Sequence, residues 1–304
     1  RPAIGKVGMA AVYAMMIKGI PTEMVLWGRE LSKVEGEKMD LDEAQPLMPK
    51  SKVTATDKWE NLRDVDLVVM AAGSAQEPGQ TRLDLAKTNK GMVEELITKI
   101  LEVAPEAVIL IVTNPVDVLT YGVSKLAGAN PTTHEATKGK TKVFGSGTML
   151  DTMRFRHYLG EKLGVDAHNI HAYILGDHGD HSLAVYEKAM IGGQQLLEFP
   201  GVTREIVEET YMKTKDAAGK IIAAKGATWW AIGMVIARIA QAIKDDERVI
   251  MPLSVPLNNY HGVTGIALSV PCLLGVNGVE EVLDVDMGVE EEEKLVLAAE
   301  EVKK

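Results

Sequence analysis

The order of its apolar runs constrains this chain more than any other feature. Residues 67–72 and 107–112 are unbroken apolar stretches, and residues 84–102 between them have the composition and length of a long helix. A strand that is apolar on successive residues is buried on both faces, and two such strands joined through a helix lie parallel. Residues 23–27 form a shorter buried strand upstream, and residues 9–19 a helix closed by Gly19. The alternation predicts a doubly wound parallel sheet whose ligand site lies beyond the carboxyl ends of its strands. Residues 129–141 are polar and read as a loop before a strand at 142–144.

After Gly147 the pattern changes. A helix running to Lys162, a strand at 172–175, helices at 204–225 and 228–244, β-like runs at 250–257 and 266–274 and a terminal helix at 289–304 predict a second, α+β unit. The expected division is residues 1–145 and 146–304. The run of four glutamates at 290–293 sits at a helix start, where carboxylates favour the dipole, and needs no functional reading. A net charge of -10 argues against nucleic acid and anionic membrane as partners. Neither a membrane span nor a signal segment is visible, and a single cysteine, Cys272, fits a reducing compartment, so a cytoplasmic location is expected.

Near the N-terminus, Gly5 and Gly8 fit the second and third glycines of a dinucleotide fingerprint, where bare backbone admits a pyrophosphate and lets the helix pack on the sheet. Ala3 stands where the first glycine belongs, and only two residues precede it, so the strand that should feed the turn is almost absent. An NAD-preferring site carries an acid about twenty residues past the glycines, at the end of the next strand. Here that position is Gly28, followed by Arg29, and Arg29 with Ser32 could accommodate the 2′-phosphate of NADP; an ordinary polar loop is the alternative.

The chemistry concentrates in residues 174–181, Ile-Leu-Gly-Asp-His-Gly-Asp-His, where an apolar strand ends in a tight turn presenting His178. Histidine exchanges protons near neutral pH. Upstream, Asp151 and Arg154 lie one helical turn apart, and the three together make an acid/base site for an anionic substrate.

Five stretches in order, residues 72–85, 113–117, 145–156, 176–180 and 225–228, resemble the lactate and malate dehydrogenase superfamily of 2-hydroxy acid dehydrogenases, and within it the L-lactate branch. The resemblance implies a Rossmann-type sheet followed by a catalytic α+β domain, a nicotinamide cofactor and a small 2-keto or 2-hydroxy acid substrate. It implies that His178 exchanges the proton with the substrate oxygen, that Asp151 orients His178, that Arg154 clamps the substrate carboxylate, and that Arg82 closes over the site and polarises the carbonyl. Asn114 and Thr228 would meet the substrate, and Gly73, Asn114 and Ile232 the cofactor. Gln76 points to lactate chemistry, because a malate enzyme of this family typically places arginine there. Trp229 and Trp230 match the paired aromatics of the lactate branch. Arg156 and His171 match positions that bind fructose 1,6-bisphosphate across a subunit two-fold in allosteric bacterial lactate enzymes, so a homotetramer is expected; an interface pair without ligand is the alternative.

The departures are Ala3, the missing first strand, Gly28, the polar stretch at 129–141 and His181. Two other readings stay open: a malate dehydrogenase of the lactate-like type, suggested by the Gly28-Arg29-Glu30 loop, and a degenerate non-catalytic relative.

Overall fold

The computed structural model describes residues 4–73, 82–128, 132–133 and 141–303. In chain order the elements are α1 (Lys6–Ile17), β1 (Glu23–Trp27), α2 (Leu31–Ala44), β2 (Lys52–Thr56), β3 (Leu67–Met70), α3 (Arg82–Val103), β4 (Val108–Ile111), α4 (Val116–Leu126), β5 (Thr132–Thr133), β6 (Val143–Gly145), α5 (Met149–Leu163) and β7 (Ile170–Leu175). They continue as β8 (Leu183–Ile191), β9 (Gln194–Gln195), α6 (Arg204–Lys225), α7 (Trp230–Lys244), β10 (Val249–Asn258), β11 (Ile266–Gly275), β12 (Gly278–Val282) and α8 (Val289–Lys303).

The expected parallel sheet is present in β3, β4 and β6, with Val68 opposite Ile109 and Leu110 opposite Phe144. Its centre, β4, is buried at all four positions, which is why its sequence shows no alternation. The sheet does not stop at the first half of the chain. β10 joins β6 at Ser254 opposite Gly145, and β11 and β12 extend it antiparallel, so both halves share one sheet. A separate antiparallel sheet of β7, β8 and β9 carries the turn that presents His178.

β1 and β2 pair in parallel as a sheet of their own. No ladder joins β1 to β3 among the described residues, although Val25 and Trp27 share a core cluster with Val68. A doubly wound sheet of this order places its first strand between those two. β3 is half-buried over Leu67–Val69.

Several elements escaped the sequence reading. α2 falls largely in a stretch to which the sequence assigned no element, and Ser32, placed in a polar loop, lies in its first turn; only Val34 and Leu41 of this helix are buried, so its apolar signal is faint. Thr132 and Thr133, within the stretch expected to be loop, pair as β5 with Leu257 and Asn258 of β10, as suits β-branched residues. The helix expected from 228 begins at Trp230, because Trp229 has non-helical backbone, which leaves Thr228 in the connection after Gly226. Gly226, at φ 86°, ends α6 in the left-handed conformation that glycine adopts without strain.

The acidic start of α8 is more than a dipole effect. Glu291 is buried and accepts hydrogen bonds from the backbone N–H groups of Tyr186 (2.8 Å) and Glu187 (3.1 Å) on β8 and of Gly288 (2.9 Å). One carboxylate thus caps the helix and fastens it to the sheet that carries the His178 turn. Removing it leaves buried donors unpaired, at roughly 1–3 kcal/mol each. Glu291→Ala is therefore expected to lower the melting temperature clearly more than Glu290→Ala; equal effects in calorimetry would contradict this role.

Candidate active site

Two buried serines on neighbouring strands hold the site together. Ser254 of β10 and Ser269 of β11 stand opposite one another, and neither is accessible to solvent. Ser269 exchanges backbone hydrogen bonds with Gly176, just after β7, at 3.0 and 2.8 Å. Its hydroxyl accepts the backbone N–H of Thr148 at the start of α5, at 3.0 Å. Gly147 precedes it at φ 50°, where a Cβ would meet the Ser269 hydroxyl and the Ser254 backbone, so only glycine fits. α5 is tied again to β7: the Thr152 hydroxyl accepts the Ile174 N–H at 2.9 Å, and the Thr148 hydroxyl donates to the Ile174 carbonyl.

These ties bring His178 against Asp151 and Arg154, as the sequence predicted. The imidazole Nδ1 lies 2.6 Å from Asp151 Oδ2, and Arg154 Nη1 donates to Asp151 Oδ1 at 3.2 Å. All three side chains are largely shielded from water. The Asp151 charge raises the His178 pKa above its ordinary value, against the opposing effect of burial. Burial alone would raise Asp151, but His178 and Arg154 outweigh it and hold the carboxyl below the usual carboxylate range. With Nδ1 on Asp151, the other ring nitrogen, Nε2, is the one to face a substrate. The Nη1 bond to Asp151 leaves the Nε–Nη2 edge of Arg154 for a carboxylate.

The sequence reading gave no role to Asp117, in the first turn of α4. It is buried, accepts the His178 backbone N–H at 2.7 Å and accepts the Ser254 hydroxyl at 2.6 Å. An acid within the otherwise apolar start of that helix was the signal available. Asn89 of α3, also missed, is buried and donates to the Asn114 carbonyl at 2.8 Å. Asn114 itself is exposed, with its Oδ1 accepting the Val116 N–H at 3.3 Å. The peptide bond between Asn114 and Pro115 is cis.

The expected cofactor contacts fall on open backbone. Gly5 is the N-cap of α1, a Cβ there would meet nothing within 4 Å, and the helix has neither a side-chain cap nor an acid in its first turn. A phosphate is the natural partner for such free N–H groups. Gly8 is tight against Ile4, and Gly73 against Thr113, so both positions need glycine. Lys6 and Lys225 each stack on the ring of Trp229, at 4.6 and 3.2 Å from its centre, while Trp230 is exposed. That pairing sets the connection holding Thr228 beside the start of α1, and Ile232 packs against the main core. Gly28 is buried and donates to the Thr56 carbonyl, and Arg29 and Ser32 are exposed beside it. These residues fit a dinucleotide. Gln76, Ala3 and the Arg82 side chain lie outside the described residues.

Arg156 and His171 also come to one surface. Arg156 Nε donates to the carbonyl of Ala172, the neighbour of His171, at 2.8 Å, and its guanidinium lies over the Tyr173 ring.

With this geometry in place, the comparisons with known proteins are decisive. The NAD-binding domain of lactate/malate dehydrogenase matches residues 3–134, and the alpha/beta C-terminal domain of the same family matches residues 148–304. The chain belongs to the lactate/malate dehydrogenase family. Within that family it is 36% identical to an L-lactate dehydrogenase of Macrococcus caseolyticus (strain JCSC5402) over 302 residues, covering 98% of this chain and 93% of that protein. It is equally identical to an L-lactate dehydrogenase of Clostridium botulinum (strain Loch Maree / Type A3), covering 98% and 92%. Among solved structures, a lactate dehydrogenase, MGS-M5, from a Medee basin deep-sea metagenome library superposes with a TM-score of 0.91 at 33% identity, covering 99% and 95%. The minor L-lactate dehydrogenase of Enterococcus mundtii in its ligands-bound form gives a TM-score of 0.91 at 34% identity, covering 98% and 94%. No helix among the described residues is long and apolar enough to cross a membrane.

Proposed function

We propose that this family member is an L-lactate dehydrogenase that uses NAD, with residues 1–145 as the dinucleotide-binding domain and 146–304 as the catalytic domain. The observation that carries the reading is the shielded pair of His178 and Asp151 beside Arg154. The nicotinamide cofactor, when bound, supplies or accepts the hydride. The α1 N-terminus with Gly5 and Gly8 holds its phosphates, and Gly73, Asn114 and Ile232 meet the rest.

In reduction, Arg154 clamps the carboxylate of the keto acid through its Nε–Nη2 edge, and His178, charged through its contact with Asp151, gives its Nε2 proton to the carbonyl oxygen. Asp151 keeps the ring in place and stabilises the imidazolium it is paired with. Arg82 polarises the carbonyl, and Asn114 and Thr228 bind the substrate. In lactate oxidation the neutral imidazole takes the proton back. The product of either direction keeps the carboxylate, so Arg154 serves both.

Gln76 selects pyruvate over oxaloacetate because it offers no charge to a second carboxylate. Some use of NADP is favoured by Gly28, which lacks the acid that would reject a 2′-phosphate, and by the exposed Arg29 and Ser32 beside it. Turnover followed at 340 nm with each keto acid and each reduced cofactor tests both points. Pyruvate is expected to be reduced faster than oxaloacetate, and Gln76→Arg to reverse the preference by about ten- to a hundredfold, the worth of roughly 1.5–3 kcal/mol for a charge-assisted pair. Preference of the unaltered protein for oxaloacetate would overturn the lactate assignment, and exclusive use of NADH would remove any role for Arg29 and Ser32.

The same reading places the protein in the cytoplasm as a homotetramer in which Arg156 and His171 of paired subunits form an anion site. Support comes from the Arg156 guanidinium, which is partly buried and has no carboxylate partner among the described residues. An anion between facing cations would relieve their repulsion and tighten assembly. Fructose 1,6-bisphosphate is expected to activate the protein and stabilise its tetramer. Activation that persists unchanged when Arg156→Ala and His171→Ala are combined would place the site elsewhere.

A further inference from the structure

We infer that Asp117 is a positioning residue for His178: its buried carboxylate fixes the histidine backbone and, as a second negative charge behind Asp151, helps hold the imidazole in its charged form. The inference rests on the reading of His178 as the proton-exchanging group. Asp117 comes from a different element than Asp151, reaching the catalytic turn from the first turn of α4, immediately after Asn114 and Pro115. One oxygen accepts the His178 N–H and the other the Ser254 hydroxyl, so the carboxylate spans the gap between the turn and β10.

The two donors meet two different oxygens, and an amide offers only one acceptor, so a neutral side chain keeps both contacts only if the Ser254 hydroxyl turns to accept. A carboxylate such as this, with no cationic partner in contact among the described residues, is costly in a buried position. Burial pushes the Asp117 carboxyl up to about 6, against the pull of Ser254 and the His178 N–H, and the neighbouring Asp177 pushes it further. What the ionised form gives in return is its attraction for the imidazolium, which acts on His178 in the same direction as Asp151 and against Arg154. The groups around the pair are Asp151 and Arg154 from α5, Asp177 within the turn and Ser254 from β10. From α6, Tyr211 and Lys215 donate to the carbonyls of Ser182 and Asp180 just beyond.

The sign of the stability effect follows. A carboxyl whose folded pKa lies above its unfolded value favours folding when protonated, and that contribution is lost as pH rises from about 4 through about 6. Asp117→Asn removes the charge, keeps the His178 N–H bond on its remaining oxygen, and keeps the Ser254 contact with the hydroxyl turned to accept from the amide. It is expected to shift the His178 imidazole titration, followed by NMR on the substrate-free protein, to lower pH, and by less than Asp151→Asn does. Its melting temperature relative to that of the wild type is also expected to be higher at pH 8 than at pH 5. A purely structural Asp117 would leave the imidazole titration unmoved, and that result, or an equal melting difference at both pH values, overturns the inference. Should the variant not fold, the wild-type protein decides: the imidazole signal must register a step at the pH where the Asp117 carboxyl carbon titrates, and its absence overturns the inference equally. These readouts need no turnover, so they stand apart from the proton-transfer reading, which fails on its own if His178→Asn retains most of its activity.

Discussion

The ladder position shared by Ser254 and Ser269 is the constraint on which the rest of this active site depends. Both residues are buried in the antiparallel extension of the sheet, and each spends its hydroxyl on a different part of the site. Ser269 fixes where α5 starts and where β7 ends. Ser254 fixes Asp117, which fixes the His178 backbone. A slip of one residue by either strand would turn its serine hydroxyl to the other face and undo the ties that hydroxyl makes. His178 on its turn, and Asp151 and Arg154 in the first turns of α5, are therefore anchored to a deeply buried part of the sheet.

That arrangement lets the protein keep charges out of water. Asp151, Arg154 and His178 are shielded together, and each charge has a partner of opposite sign in contact. Asp117 is the exception, being held by two neutral donors. Such a group lowers stability at neutral pH and persists where function gains from it. The start of α1 is likewise left open, with no side-chain cap and no acid in its first turn to meet its N–H groups.

Much of this was legible in the sequence because it rests on local pattern. The apolar runs of β3 and β4, the glycine-ended α6 and the long β10 and β11 announce themselves through composition and period. His178, Asp151 and Arg154 were legible as a set because the latter two share a helix face and the histidine sits in a glycine-bounded turn. What was not legible depends on tertiary packing. α2 is a charged helix with two buried residues, and nothing in its periodicity outweighs a loop. Glu291 looks like its three acidic neighbours and differs only in that β8 lies against it. Asp117 is one acid in an apolar helix start, and its partners lie 61 and 137 residues further along the chain.

The central claim is that one histidine passes the proton in both directions. It is tested most directly by paired pH–rate profiles of the wild-type protein, for pyruvate reduction with NADH and for lactate oxidation with NAD. The account requires reduction to fall and oxidation to rise with pH through one shared titration, placed above the ordinary value of about 6.5 for histidine because Asp151 faces the ring. Limbs that titrate at different pH values, or that face the same way, would contradict it and remove His178 from the proton path.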